Sequence, residues 1–399
     1  MNVKFFSILL SLVLLTSVVG LAETLIVGGD SADFQTIQSA IDAAAEGDVI
    51  QVNAGVYHEA LLITKNQIDI VGAGSEQTTI EYTDTVVSYL FSARSSLEGF
   101  TVSYIGTEDR PAIMVDASSP QLSHNTITGA TLAGIEIQSG ANAQLQDNLI
   151  ANNLGSGVLV YLNARVTLTD NVIRENGLGL VSHPGVEIRG AGEGELDNNN
   201  IWLNGGSGVF LHEAAFARLT SNSIIGNNLH GVAVENRSIA ELTSNSILWH
   251  TEAGVRLKAS REVTLSGNLI AHNLLGTVGD DEAELPTQTN NIYLANRRDT
   301  FNVGFSSQDA LMTNRVFSSP NGQSLLQQLS QMGESITNLK IEITQSLYQS
   351  FIGNLQNIEL IVAGLYNEAN FSNIATARYN IVIRLDENSV AADEARSNL

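Results

Sequence analysis

The chain has 399 residues, with 19 Lys+Arg against 42 Asp+Glu for a formal net charge of −23, and it contains no cysteine. That charge excludes nucleic acid and anionic membrane surfaces as natural partners, and the lack of thiols excludes disulfide staples and cysteine chemistry. It also opposes acidic polymers, unless basic residues cluster locally or a cation bridges.

Residues 1–22 carry Lys4, an apolar run from Phe5 to Val19 and the small residues Gly20 and Ala22 at the −3 and −1 places of a cleavage site. This pattern predicts a secretory signal peptide cleaved after Ala22, and hence a secreted, periplasmic or cell-surface protein. No later stretch is long and apolar enough to cross a bilayer, so no membrane insertion is expected after cleavage. Phe34, Ile37, Ile41 and Ala44 then fall on one face of a short helix between Asp33 and Gly47. Segments 49–52, 60–63 and 68–71 follow as strands.

From there one grammar repeats. Asn125, Asn148, Asn171, Asn199, Asn222, Asn245, Asn268 and Asn291 stand 23 residues apart, except for a step of 28 from Asn171 to Asn199. Leu stands three places before each Asn from Leu122 to Leu265, and Ile two places after it from Ile127 to Ile270. Five places after comes a second polar column, Asn153, Asn176, Asn204, Asn227 and Asn273; nine after comes glycine, as in Gly134, Gly157, Gly208, Gly231 and Gly254. Short alternating segments have one face in and one out, and Asn and Gly enter tight or left-handed turns at low cost. Three strands and three bends make one coil, which can bury its apolar face only against another coil, and stacked Asn amides are expected to hydrogen-bond along the axis. The expected fold is all-β: a parallel β-helix over residues 23–315, right-handed because parallel crossovers are. The early helix serves as the lid that an open solenoid end needs. Ser223 and Ser246, next to the ladder Asn, are read as outward and tolerant of change.

Gly55, Tyr57 and Glu59 form a Gly-x-Tyr-x-Glu element, and this N-terminal stretch resembles pectin methylesterases and other members of the pectin-lyase-like superfamily. The repeats resemble the Asn-rich coils of that superfamily and of periplasmic carbohydrate-binding β-helix proteins. The resemblance covers about residues 24–310 and implies a β-helix that handles polysaccharide. It does not carry over the methylesterase catalytic residues. Gln146-Asp147-Asn148-Leu149 is the one stretch like their "QDTL" motif, and it occupies ordinary repeat positions, as Thr169-Asp170-Asn171 does one coil on.

Chemistry is expected on the outward columns of each coil's third strand. One column reads Glu136, Leu159, Glu187, Phe210, Ala233, Arg256; the other reads Gln138, Tyr161, Arg189, His212, Glu235, Lys258. Glu136 and Glu187 lie about 9.6 Å apart by strand spacing, with Leu159 between them. The five extra residues in the stretch 177–185 put a loop carrying His183 at the rim of this row, and loops on a regular scaffold are where function is added. Cations hold a sugar carboxylate, a His or Arg moves a proton, and rings stack on sugar faces. Glu187, Arg189 and His212 are therefore the candidate catalytic residues, with Tyr161, His183, Phe210, Glu235 and Lys258 as candidate substrate-binding residues. The bland alternative is a solvated face of cross-strand ion pairs. No cofactor or metal site is expected. The acidic loop Asp280, Asp281, Glu282 and Glu284 has the oxygen chemistry that calcium takes, without an EF-hand spacing.

After Asn291 the grammar fails. Leu325, Leu329, Met332 and Ile336 have helical spacing, while Leu339-Ile341-Ile343, Ile358-Leu360-Val362 and Ile381-Ile383-Leu385 alternate as strands do. Residues 320–399 are therefore expected as a small α/β cap or domain with a frayed tail. Outward places of the second strand hold Leu149, Val172, Trp202, Ile225, Leu248 and Leu269. So long an apolar strip needs a cover, and the segment Leu325–Ile336 is expected to fold back on it, against Trp202; the rival reading is an oligomer or partner interface.

The function that follows is binding of a polysaccharide or glycan, with or without lyase, hydrolase or epimerase turnover. The alternative is a non-catalytic cell-envelope β-helix acting in adhesion or assembly.

Overall fold

The computed structural model describes residues 22–399, and the signal-peptide reading falls, but for Ala22, outside them. Each repeat forms one coil of three short strands, and every strand pairs in parallel with its counterpart in the next coil. The first sheet has 12 strands, from Thr24–Val27 to Thr287–Thr289. The second and third have 11 each, ending at Ile292–Leu294 and Arg298–Phe301. Register stacks like on like: Leu122, Leu145, Leu168 and Leu196 in the first sheet, and Ile127, Ile150, Ile173 and Ile201 in the second. All are buried, and each such side chain contributes about 1.5–3 kcal/mol relative to exposure.

The Asn column forms the expected ladder of amide hydrogen bonds along the axis, and departs from the sequence expectation in its backbone. The left-handed residue at this corner is the one before the Asn, as at Asp147, Asp170, Asn198, Ser221 and Ser244. The Asn is instead buried, and its amide links coils. The Asn222 backbone N–H donates to Asn245 Oδ1 at 2.8 Å, and Asn222 Nδ2 donates to Asn245 Oδ1 at 3.0 Å and to the Leu196 carbonyl at 2.9 Å. The glycine column is likewise a matter of space. A Cβ on Gly231 would stand 2.4 Å from Ile247 Cγ2 and 2.6 Å from the Gly254 carbonyl oxygen.

In the second polar column His250 takes an asparagine's place. Its Nδ1 accepts from the Asn227 backbone N–H at 3.2 Å, and its Nε2 lies 3.1 Å from the Ile224 carbonyl, so the neutral Nε2–H tautomer reproduces one acceptor and one donor of the amide.

Both ends are closed. Helix α1 (Ile37–Ala43) covers the N-terminal end, and the Glu59 carboxylate accepts from the Ile37 and Gln38 N–H groups at 2.8 and 2.9 Å. The Gly-x-Tyr-x-Glu element is thus a capping device. At the other end α2 (Ser307–Ser318) supplies Asp309, whose Oδ1 accepts from the Asn291 N–H at 2.7 Å and ends the ladder. Burial raises the pKa of this carboxyl above the usual range.

The C-terminal region is helical, not α/β. After α2 come α3 (Pro320–Ile341), α4 (Gln345–Glu368), α5 (Ser372–Leu385) and α6 (Val390–Asn398). The three segments expected as strands lie mostly within α3, α4 and α5. Their alternation is local: Phe351, Leu355, Ile358, Val362 and Leu365 of α4 recur at three- and four-residue steps and are buried, and a short apolar run does not by itself distinguish the two periods. The tail is not frayed, because Ser389 caps α6 and Ala392 and Ala395 are buried. The helical region begins at Ser307, earlier than the expected boundary near residue 315.

These helices lie on the outer face of the second sheet. Trp202 stacks on Tyr348 and Phe351 of α4 at 5.7 and 5.1 Å, and Leu325, Leu329, Met332 and Ile336 of α3 join the same buried cluster as Ile225, Leu248 and Leu269. The covered strip also takes in Ser223 and Ser246, which are 3% and 0% exposed rather than solvated. Ser246 donates to Glu359 of α4 and meets Arg378 of α5.

Asn222→Leu or Asn245→Leu is expected to cost about 1–3 kcal/mol for each backbone group left unpaired, measured by chemical denaturation. Ser246→Leu is expected to be costly as well, contrary to the outward reading. Wild-type stability in Asn222→Leu would contradict the ladder.

Candidate functional site

The third sheet turns its outer face away from the helices, and there the column residues meet along diagonals. Glu187 is the hub. Its Oε2 accepts from Ser156 Oγ at 2.8 Å, its Oε1 lies 3.2 Å from His212 Nε2, and Arg189 Nη1 is 3.8 Å from Oε1. Burial pushes the Glu187 pKa up, but the His212 and Ser156 hydrogen bonds and the Arg189 charge outweigh it and hold the carboxyl below its ordinary value. His212 stacks on Phe210 at 4.4 Å and 14°, which fixes the ring plane. The Arg189 guanidinium lies 5.4 Å from the Tyr161 ring centroid. Tyr161 Oη lies 2.5 Å from Glu136 Oε1 and 2.6 Å from Gln138 Oε1, and burial, together with Glu136, raises its pKa.

Five of the eight residues singled out in the sequence therefore form one cluster: Glu187, Arg189, His212, Tyr161 and Phe210. Glu235 and Lys258 pair with each other at 3.9 Å farther along the face. His183 is held through its backbone, whose N–H donates to the Gly177 carbonyl and whose carbonyl accepts from Gly206, and among the described residues its side chain has no hydrogen bond to the cluster. Ser156 was missed, Gln138 was placed in its column without a role, and Glu136 was given none because Leu159 stands between it and Glu187. The Tyr161–Glu136 contact runs to the neighbouring column one coil away, and Ser156 stands in neither column, so reading residues directly above one another does not find them.

The arrangement limits the chemistry. Glu187 accepts from Ser156 through one oxygen and meets His212 Nε2 through the other, which fixes the orientation of the imidazole. Ser156 has no base beyond that carboxylate, which leaves it an unactivated hydroxyl. With Nε2 on Glu187, His212 keeps Nδ1 as the one nitrogen open to a substrate proton, 3.7 Å from Glu213 Oε1. In the acidic loop Asp280 Oδ1 accepts from the Ala259 and Glu282 N–H groups. No group of three His, Asp or Glu residues able to hold a metal occurs among the described residues.

The family model for the right-handed β-helix region matches residues 76–188, 111–270 and 184–341, which overlap to cover well over half of the chain. The chain belongs to the right-handed β-helix family. No curated protein sequence matches it. Among solved structures it is similar to the Dettilon tailspike protein (13% identity, TM-score 0.55, covering 69% of this chain and 63% of that one). It is also similar to the alginate lyase from Paenibacillus sp. str. FPU-7 (13%, TM-score 0.49, 69% and 99%). A third is the A-module of the Azotobacter vinelandii mannuronan C-5 epimerase AlgE4 (14%, TM-score 0.46, 67% and 95%). At these identities the likeness is one of fold. For this right-handed β-helix protein, function has to be argued from the outer face of its third sheet.

Proposed function

We propose that this β-helix protein binds a polysaccharide along the outer face of its third sheet, in a secreted, periplasmic or cell-surface setting. The observation that carries the reading is the ordered strip Tyr161–Arg189–Glu187–His212–Phe210, in which aromatic faces and hydrogen-bonding charges are held in fixed orientation over successive coils. Side chains immobilised before a ligand arrives lose little entropy on binding, and rings with nearby charged donors suit a sugar's apolar face and hydroxyls. Glu187 holds the His212 ring in place, and any proton transfer falls to His212.

A panel of uronate polymers and neutral glycans tests this, with and without calcium, following affinity, unsaturated products and reducing ends. Phe210→Ala and Tyr161→Ala are expected to weaken binding by about tenfold or more, as loss of a well-packed aromatic anchor does, with little change in melting temperature. Glu187→Gln is expected to disturb His212 and weaken binding less. Absence of binding across the panel would favour the non-catalytic adhesion or assembly role.

A further inference from the structure

The loop of the one long repeat helps to build a cavity away from the third-sheet face. Leu178, near the start of that loop, is 54% exposed and is held by a bridge to Ser182. With Glu175, Leu203 and Asn228 of the coils it forms one wall, and Leu339 and Lys340 in the last turn of α3 form the other. The space between them is about 240 Å³. Aliphatic cavities of about 150 Å³ already hold a benzene ring, so a small apolar molecule fits here. Lys340 is the nucleophile of this cavity. The described residues contain two other lysines, and both are engaged: Lys65 Nζ donates to the Asp42 and Ala44 carbonyls at 2.6 and 2.5 Å, and Lys258 lies 3.9 Å from Glu235. Among the described residues Lys340 has neither a hydrogen bond nor an ion pair, and the carboxylate in the cavity wall, Glu175, is turned to Arg174. The Lys340 stem passes over Gly226, with Cε 4.0 Å from where a Cβ there would stand, and the surrounding protein lowers the amine's pKa by desolvation. The residue is still exposed, so a reagent reaches it. A lysine amine made less basic by an apolar setting is a better nucleophile, because more of it is neutral.

We infer that Lys340 is a covalent attachment site for small apolar aldehydes, which rest against Leu178, Leu203 and Leu339 while the amine attacks their carbonyl carbon. The Nζ lone pair forms the C–N bond as the carbonyl π bond breaks, giving a carbinolamine. The oxygen then leaves as water with the two hydrogens of the neutral amine, and an imine remains. The step consumes no oxidant or reductant. It is independent of the glycan-binding reading, because Lys340 belongs to the helical layer and not to the third sheet.

The full-length protein, incubated near neutral pH with benzaldehyde and sodium cyanoborohydride, provides the test. The borohydride delivers a hydride to the imine carbon and fixes the adduct as a secondary amine, which peptide mapping by mass spectrometry follows at each lysine and at the N-terminal amine. Lys340 is expected to be labelled about tenfold or more faster than Lys65 and Lys258, since a seated reactant has a high effective concentration. Formaldehyde has no apolar body to seat and is expected to separate the three lysines much less. Leu178→Asp, a change at an exposed position, should bring benzaldehyde labelling of Lys340 towards the formaldehyde pattern. Lys340→Arg should abolish the label there and leave Lys65 and Lys258 as before. Labelling of Lys258 or Lys65 by benzaldehyde as fast as Lys340 overturns the inference. Selectivity for Lys340 that is equal for both aldehydes and survives Leu178→Asp also overturns it, since an exposed amine without a cavity behaves in that way.

Discussion

Alanine in place of Glu359 is expected to destabilise the protein by about 3–5 kcal/mol, the cost of stranding a buried charge. Glu359 and Arg378 are both fully buried between the helices and the second sheet, with Arg378 Nη1 2.5 Å from Glu359 Oε2. Arg378 also donates to the Asn245 and Gly267 carbonyls at 3.2 and 2.9 Å, so one guanidinium ties α5 to two successive coils. Glu359→Ala leaves that guanidinium without its counter-charge, and Arg378→Ala leaves the carboxylate and two carbonyls exposed to an apolar seam. Urea denaturation of both variants measures the loss. The double change Glu359→Met with Arg378→Met is expected to recover part of it, since an apolar pair of similar volume carries no desolvation penalty, while the two carbonyls stay unpaired. A loss under about 1 kcal/mol in each single variant, the range of an exposed pair, would mean the pair is not buried as described.

Acid should weaken the fold through His250, and His250→Asn should remove that sensitivity. Burial drives its pKa down from 6.5 to about 3, opposed by its hydrogen bonds to Ile224 and Asn227 and reinforced by the charges of His230 and Lys340. A base with a depressed folded pKa contributes stability that is complete above pH 6.5. That stability is lost as pH falls from 6.5 towards 3, because the unfolded chain takes up a proton that the folded ring refuses. The slope approaches about 1.4 kcal/mol per pH unit. Asn offers the same acceptor and donor without titrating. His250→Asn is therefore expected to match wild type near pH 7.5 and to be more stable by roughly 2–3 kcal/mol at pH 4.5. Burial also lowers the pKa values of His230 and His272, so wild type and variant must be compared across pH rather than wild type alone. Parallel stability curves for the two would show that His250 does not remain neutral in the ladder.

The sequence by itself determined the solenoid, because a coil that cannot bury its own face must repeat, and the repeat spacing is legible in Asn, Leu, Ile and Gly alone. It also determined that something covers Trp202, since exposed apolar strips of that length are not left in water. It did not reveal the form of the cover. The alternation at Ile358-Leu360-Val362 was real, and only packing against Trp202, Ile225 and Leu248 selected the helical period. Nor did it reveal that Ser246 is buried, because an outward position on one sheet becomes an inward one when a second layer lands on it. His250 was visible as a gap in an Asn column, but its equivalence to an amide depends on tautomer and on two backbone groups supplied by other coils. The candidate site divides in the same way. Columns follow from counting, so Glu187, Arg189 and His212 could be found. Ser156 on Glu187 and Tyr161 on Glu136 depend on which neighbour each side chain turns towards, and that is decided only once the coils are stacked.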